Sequence, residues 1–253
     1  MVRNDRKQIR NSAKRLPIVF CLDVSPSMGW RIGNNSTSME LLNEAVATFI
    51  NELKLDPKAK SSAEVAFVTF STNIEDETDF ESVASLGTPK FQPVDEGGTQ
   101  MAEAVLYAIN KIEKRRAELS NMEIPYYAPF LVMLTDGNPD DNDDGALQSK
   151  AIAAVRSHCD SHVGASEIIV PFVIGVGDHI DPDTLNRYAA GFTDGYFGIR
   201  GQADAVKKVK FQKVFQLIGN STKVSIHLNG KTSETIRTIQ HDMNDLYRLL
   251  QGE

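Results

Sequence analysis

Cysteine is scarce: the 253 residues contain two, Cys21 and Cys159. An isolated pair in apolar segments reads as two buried thiols rather than a disulfide framework. Positive charge is also short. There are 27 Lys and Arg against 34 Asp and Glu, a formal net charge of −7. That balance argues against nucleic acid as the main partner, because binders of a phosphate backbone gather Lys and Arg on one face. No stretch reaches the roughly 18 to 20 apolar residues of a membrane span. The 41% apolar and 24% charged composition carries no bias toward disorder, collagen or coiled coil. The expectation is a soluble globular protein, long enough to build one large core without disulfides or structural metal.

The basic residues that stand together lie in a tail, residues 1–15, where Arg3, Arg6, Lys7, Arg10, Lys14 and Arg15 face Asp5 alone. The apolar run behind them, Leu16 to Leu22, meets Asp23 after seven residues. A secretory signal needs a longer run, so the segment reads as a strand and the expected location is cytoplasmic. The tail itself reads as a solvated arm or as a docking segment.

Apolar runs rich in Val, Ile and Phe alternate with segments of helical period, which is the pattern of an α/β domain. Strands are expected at residues 16–23, 63–71, 129–135, 168–176 and 196–199, with a polar edge strand at 73–80 returning antiparallel. Thr37 and Glu40 have capping-box spacing ahead of Leu42, Val46, Phe49 and Leu53. Further helices are expected after Gly97-Gly98, around Leu147 to Val155, after Asp181-Pro182 with a stop at Gly191, and over 206–218. The fold class is therefore α/β: a doubly wound, mostly parallel central sheet with one antiparallel edge strand and helices on both faces. Residues 16–219 form the main domain. Residues 220–253 read as an appendage, with Val224, Ile226 and Leu228 alternating like a strand before a turn at Asn229-Gly230 and a helix.

Ligands of an open α/β sheet bind beyond the carboxyl ends of the strands. Three polar clusters fall there: Asp23-Val24-Ser25-Pro26-Ser27, Gly97-Gly98-Thr99 and Thr135-Asp136-Gly137. They offer two carboxylates and several hydroxyls, with no sulfur and no imidazole. Such a set suits a hard divalent cation, Mg²⁺ first, with Mn²⁺ or Ca²⁺ tolerated. Alternation along an extended loop is expected to direct residues 23, 25 and 27 to one side.

Asp-x-Ser-x-Ser, Gly-Gly-Thr and Thr-Asp-Gly, in this order, resemble the metal-ion-dependent adhesion site (MIDAS) of von Willebrand factor A (VWA) domains. Ile174-Gly175-Val176-Gly177-Asp178 is also similar to that family, and the chain looks most like stand-alone bacterial VWA proteins of the TerY type from tellurite-resistance clusters. The resemblance implies a non-enzymatic interaction module in bacterial stress response or defence. It implies that Ser25 and Ser27 bind the ion directly, Thr99 directly or through water, and Asp23 and Asp136 mostly through water. A partner's Asp or Glu would then complete the coordination, and a protein kinase and phosphatase are often encoded nearby.

Other chemistry fits less well. Asp23 after an apolar strand also resembles the nucleophile of haloacid-dehalogenase phosphatases, but the general acid two residues on is replaced by Ser25. No Gly-x-Ser-x-Gly elbow is present. In the Gly230-Lys231-Thr232 triplet, Ser225 stands where a phosphate loop has its first Gly. His158 and His162 have zinc-compatible spacing without a third ligand. The run Asp140 to Gly145 imitates a calcium loop, but Ala151 occupies the place of its bidentate acid. That acidic run is instead expected to rim the metal site and to favour a partner with a basic surround. A metal-dependent hydrolase, and an interaction subunit with a vestigial site, stand as the alternatives.

Overall fold

The first strand, β1 (Leu16–Asp23), is buried at every position. A strand covered on both faces does not alternate apolar and polar residues, which is why its sequence is one apolar run. The computed structural model describes residues 13–32, 36–137, 139, 145–159, 168–176, 181–189, 196–199 and 204–228, with isolated positions between 234 and 248. After β1 come a 3-10 turn (Pro26–Gly29) and two short paired strands, β2 (Arg31–Ile32) and β3 (Ser36–Thr37).

Helix α1 (Ser38–Leu55) starts where the capping box places it: the Glu40 amide donates to Thr37 Oγ1 (3.1 Å), and the Thr37 amide donates to Glu40 Oε2 (3.0 Å). These bonds satisfy donors that the first helical turn leaves free. A second short helix, α2 (Pro57–Ser62), is capped by Asp56 and leads into β4 (Ala63–Phe70), β5 (Ile74–Asp76) and β6 (Glu81–Ser82). The chain continues through α3 (Met101–Asn121), β7 (Phe130–Thr135), α4 (Gly145–Cys159), β8 (Val170–Val176), α5 (Pro182–Tyr188), β9 (Tyr196–Ile199) and α6 (Asp204–His227).

The main sheet runs β5-β4-β1-β7-β8-β9, with β1, β4, β7, β8 and β9 parallel. The antiparallel edge expected from the sequence is present and has two pieces, since both β5 and β6 pair with β4. Strand residues of opposite parity build two cores. Leu16, Ile18, Phe20 and Leu22 face α1 and α6, where Phe20 stacks with Phe67 and Phe215 and meets Phe49 edge-on. Val19 and Cys21 face α3, α4 and α5, a layer rich in alanine that lets those helices lie close. No described helix is long and apolar enough to cross a membrane.

Two expectations need correction. Val224, Ile226 and Leu228 do not alternate in a strand; α6 runs on through His227. The burial of Ser221, Thr222, Ser225 and Ile226 has helical spacing, and two tertiary bonds hold these turns. Tyr127 donates its hydroxyl to the Ile226 carbonyl (3.1 Å), and His227 Nε2 lies 3.0 Å from Asp56 Oδ2. The five residues 224–228 suit either period, so packing decides. The end of the basic tail also belongs to the domain: Arg15 pairs with Glu64 (3.4 Å) and donates to the Ser61 carbonyl, while Lys14 lies over the Tyr127 ring. Residues 1–12, Gly191 and the Asn229-Gly230 turn lie outside the described residues, and the described positions between Glu234 and Arg248 are helical.

Candidate metal centre

Crossovers on opposite faces diverge at β1. Helix α1 carries the chain from β1 to β4 on one face, and α3 carries it from β4 past β1 to β7 on the other. The carboxyl ends of β1 and β7 therefore flank the crevice that doubly wound sheets use for ligands.

Asp23 is the last residue of β1 and is fully buried. Its Oδ1 accepts from the Ser25 amide (2.8 Å), and its Oδ2 accepts from the Thr135 hydroxyl at the end of β7 (2.5 Å). The Val24 amide is tied to the Phe70 carbonyl of β4 (2.8 Å), so the loop leaves the sheet in a fixed direction. Ser25 is extended (φ −57°, ψ 160°), but extension stops there. The 3-10 turn beginning at Pro26, rather than alternation along an extended loop, returns Ser27 Oγ to 3.0 Å from Ser25 Oγ. Ser27 then donates to Asp136 Oδ1 (2.7 Å). Four predicted ligands, Asp23, Ser25, Ser27 and Asp136, thus form one connected polar chain across two strand ends.

Thr99 joins from the loop before α3. It is nearly buried, and a Cβ built on Gly137 would stand 3.8 Å from its Oγ1. Gly97 has φ +151°, where an L side chain is strained, and a Cβ there would lie 3.1 Å from both Ser71 Oγ and Thr72 Oγ1. The Gly98 amide donates to Thr72 Oγ1 (2.7 Å) and the Gln100 amide to the Ser71 carbonyl (2.8 Å). These contacts bring the loop, and Thr99 with it, against the end of β4.

Burial raises the Asp23 pKa to about 6 against the opposing hydrogen bonds from Ser25 and Thr135, and the Asp136 charge pushes the same way as burial. Among the described residues no Lys or Arg makes an ion pair with Asp23. A buried carboxylate so placed is costly unless something compensates its charge. Among the described residues no three His, Cys, Asp or Glu cluster as a metal site; the donors here are two carboxylates completed by hydroxyls, all oxygen, a set matched to a hard cation. The donor set fits the ion that the sequence motifs imply.

The sequence reading passed over Thr135 as a site residue, although its hydroxyl fixes Asp23. A hydroxyl ending an otherwise apolar strand was the signal available. His158 lies on α4 with Nδ1 3.9 Å from Glu113 Oε1; its spacing partner His162, the acidic run Asp140 to Asp144, Gly177-Asp178 and Gly230 to Thr232 fall outside the described residues. Both cysteines are free thiols, and burial pushes the Cys159 pKa up to about 12.

The family model of the von Willebrand factor type A domain matches residues 18–212. The chain belongs to this family. Solved structures agree on the VWA fold. The PilB minor pilin from Streptococcus sanguinis is 15% identical with a TM-score of 0.55, covering 86% of this chain and 64% of its own. Proximal thread matrix protein 1 from the mussel byssus is 18% identical with a TM-score of 0.54, covering 82% of this chain and 46% of its own. A further structure of that byssus protein, described with a zinc-occupied MIDAS motif, has 18% identity and a TM-score of 0.52 over 82% of this chain and 46% of its own. The VWA chain thus spans about half to two thirds of the length of these proteins. No curated protein matches it in sequence.

Proposed function

We propose that this VWA protein is a non-enzymatic, divalent-metal-dependent interaction module that captures a carboxylate of a protein partner at the edge formed by β1, β7 and the loop before α3. The observation that carries this reading is the buried Asp23, held by hydrogen bonds and joined through two serines to a second carboxylate, with no described cationic side chain to neutralise it. Ser25, Ser27 and Thr99 would hold the ion through their hydroxyls, with Asp23 and Asp136 behind them. The ion, Mg²⁺ by donor hardness and Mn²⁺ or Ca²⁺ by tolerance, supplies the positive charge that recruits an acidic side chain. A byssus protein described with zinc in its MIDAS motif supports a divalent ion in the same fold.

The protein's own groups supply preorganisation. Thr135 and the Ser25 amide fix both oxygens of Asp23, and the 3-10 turn sets Ser27 between Ser25 and Asp136. The position two residues after Asp23, where phosphatases of the haloacid-dehalogenase kind carry their general acid, holds Ser25, whose hydroxyl does not replace a carboxylate in proton transfer near neutral pH, so binding without turnover is the reading we adopt. A cytoplasmic scaffold or regulator of bacterial stress response or defence, of the TerY type and working beside a kinase or phosphatase, is the finer reading; its support is the motif resemblance.

The test is recovery of bound proteins from host extract with wild type and Asp136→Ala, in Mg²⁺ and in EDTA. A partner retained by wild type in Mg²⁺ and lost in both other conditions is expected. The same proteins under all conditions would reject the metal-dependent reading.

A further inference from the structure

The hydroxyls of the metal centre come from two loops that are mounted differently. Ser25 and Ser27 share the turn after β1, where their hydroxyls lie 3.0 Å apart and Ser27 reaches Asp136 (2.7 Å). Their mutual spacing is set within a few residues. Thr99 arrives on a separate loop, so the distance from its hydroxyl to the serines depends on what holds that loop.

The end of β4 holds it. Three consecutive residues there accept one amide each from the two loops. The Phe70 carbonyl accepts from Val24 of the serine loop (2.8 Å), the Ser71 carbonyl from Gln100 (2.8 Å), and Thr72 Oγ1 from Gly98 (2.7 Å). Both loops are thus referenced to one stretch, residues 70–72, and the bonds of Gly98 and Gln100 bracket Thr99. The stretch is itself fixed: Phe70 is fully buried and pairs with Ile74, and the Ser71 amide donates to the Asn73 carbonyl (3.0 Å).

Two of these three anchors are carbonyls, which any residue supplies. The third is a side chain, so residue type decides whether it exists. The fit around it is close. Gly97 has φ +151°, and a Cβ there would lie 3.1 Å from Thr72 Oγ1, so the loop settles directly on the hydroxyl. Thr72 is exposed and belongs to neither core. Its hydroxyl serves the Thr99 loop rather than the packing of the sheet.

We infer that Thr72 is a positioning residue of the metal centre: by fixing Gly98 it fixes the reach of Thr99, and through that rigidity it makes the centre prefer Mg²⁺ to Ca²⁺. The inference rests on the proposed function and adds the residue that sets the choice of ion. Mg²⁺ demands near-octahedral coordination at about 2.0 to 2.1 Å, whereas Ca²⁺ accepts oxygens at about 2.3 to 2.6 Å in irregular arrangements. A loosened Thr99 therefore penalises Mg²⁺ more than Ca²⁺.

The test uses the full chain, titrated by calorimetry with Mg²⁺ and separately with Ca²⁺, beside hydrogen exchange of the Gly98 amide. Thr72→Val keeps the shape and removes the acceptor; Thr72→Ser keeps the acceptor. The valine variant should exchange the Gly98 amide about tenfold faster and bind Mg²⁺ about tenfold more weakly. Its Ca²⁺ affinity should fall clearly less, so that the preference between the ions narrows. The serine variant should stay near wild type in all three measurements, which a general loss of stability at this turn would not predict. Unchanged Gly98 exchange or Mg²⁺ affinity in Thr72→Val, equal losses for both ions, or a serine variant that behaves like valine would each overturn the inference and leave the metal reading standing. A wild-type chain that binds no Mg²⁺ overturns the proposed function and this inference with it.

Discussion

The two ends of the central strands each bury a carboxylate, and the two are treated differently. At the amino end of β4, Glu64 is 5% exposed and meets Arg115 at 2.8 Å and Arg15 at 3.4 Å. At the carboxyl end of β1, Asp23 is fully buried and meets an amide, a threonine hydroxyl and the field of another acid. The first charge is closed by the chain's own cations and is structural. The second is oriented but not neutralised, which is the condition of a site completed from outside.

The largest effect should come from breaking the structural end. Glu64→Ala takes a buried carboxylate from between two half-buried guanidinium groups, leaving Arg115 with Glu118 (2.8 Å), and removing one member of such a set costs about 3 kcal/mol. The unfolding midpoint in urea should fall accordingly while Mg²⁺ affinity, read by calorimetry, stays at the wild-type value. A large loss of Mg²⁺ affinity would erase the division between the two ends.

A pH experiment sharpens the same comparison. The folded protein without divalent ions holds a proton on Asp23 up to about pH 6, whereas an unfolded chain releases it near 4. The raised folded value means that Asp23 favours folding below pH ~4 and loses that contribution as pH rises through 6, about 3 kcal/mol by linkage. In EDTA, Asp23→Asn should flatten the fall in stability between pH 4 and 7 relative to wild type. Saturating Mg²⁺ should remove the same fall from wild type and leave the variant unchanged. Parallel curves for both proteins in EDTA would show that Asp23 is neutralised within the fold after all.

Thr135→Val is the smallest perturbation, removing one hydroxyl from a buried carboxylate. It should cost about 1 to 2 kcal/mol of stability and weaken Mg²⁺ binding by disordering Asp23, with the ion's preference over Ca²⁺ shifting less than its affinity. Unchanged Mg²⁺ affinity would mean that Ser25 alone orients the acid.

Much of this was legible before any coordinates. The apolar run of β1 fixed a strand buried on both faces, the Thr37 and Glu40 pair marked the start of α1, and the three polar clusters held the five residues proposed as ligands. Each of these signals is local, carried by neighbours within a few residues. The segment at 224–228 was misread because five residues satisfy a period of two and a helical face equally well, and the contacts of Tyr127 and Asp56 with the last turns of α6 choose between them. Thr135 was missed because the local sign, a hydroxyl ending an otherwise apolar strand, does not tell which buried group that hydroxyl meets; its partner Asp23 is 112 positions away.

The sequence by itself determined the fold class and the chemical identity of the donors, because strand burial, helix caps and oxygen ligands are properties of residue type and short-range order. Tertiary structure alone decided that Ser27 reaches Asp136 across 109 positions of chain, that Asp23 lacks the arginines given to Glu64, and that Thr72 holds the loop of Thr99. Those are distances between parts of the chain remote in sequence, set by which strands neighbour one another and by how closely the loops above them pack.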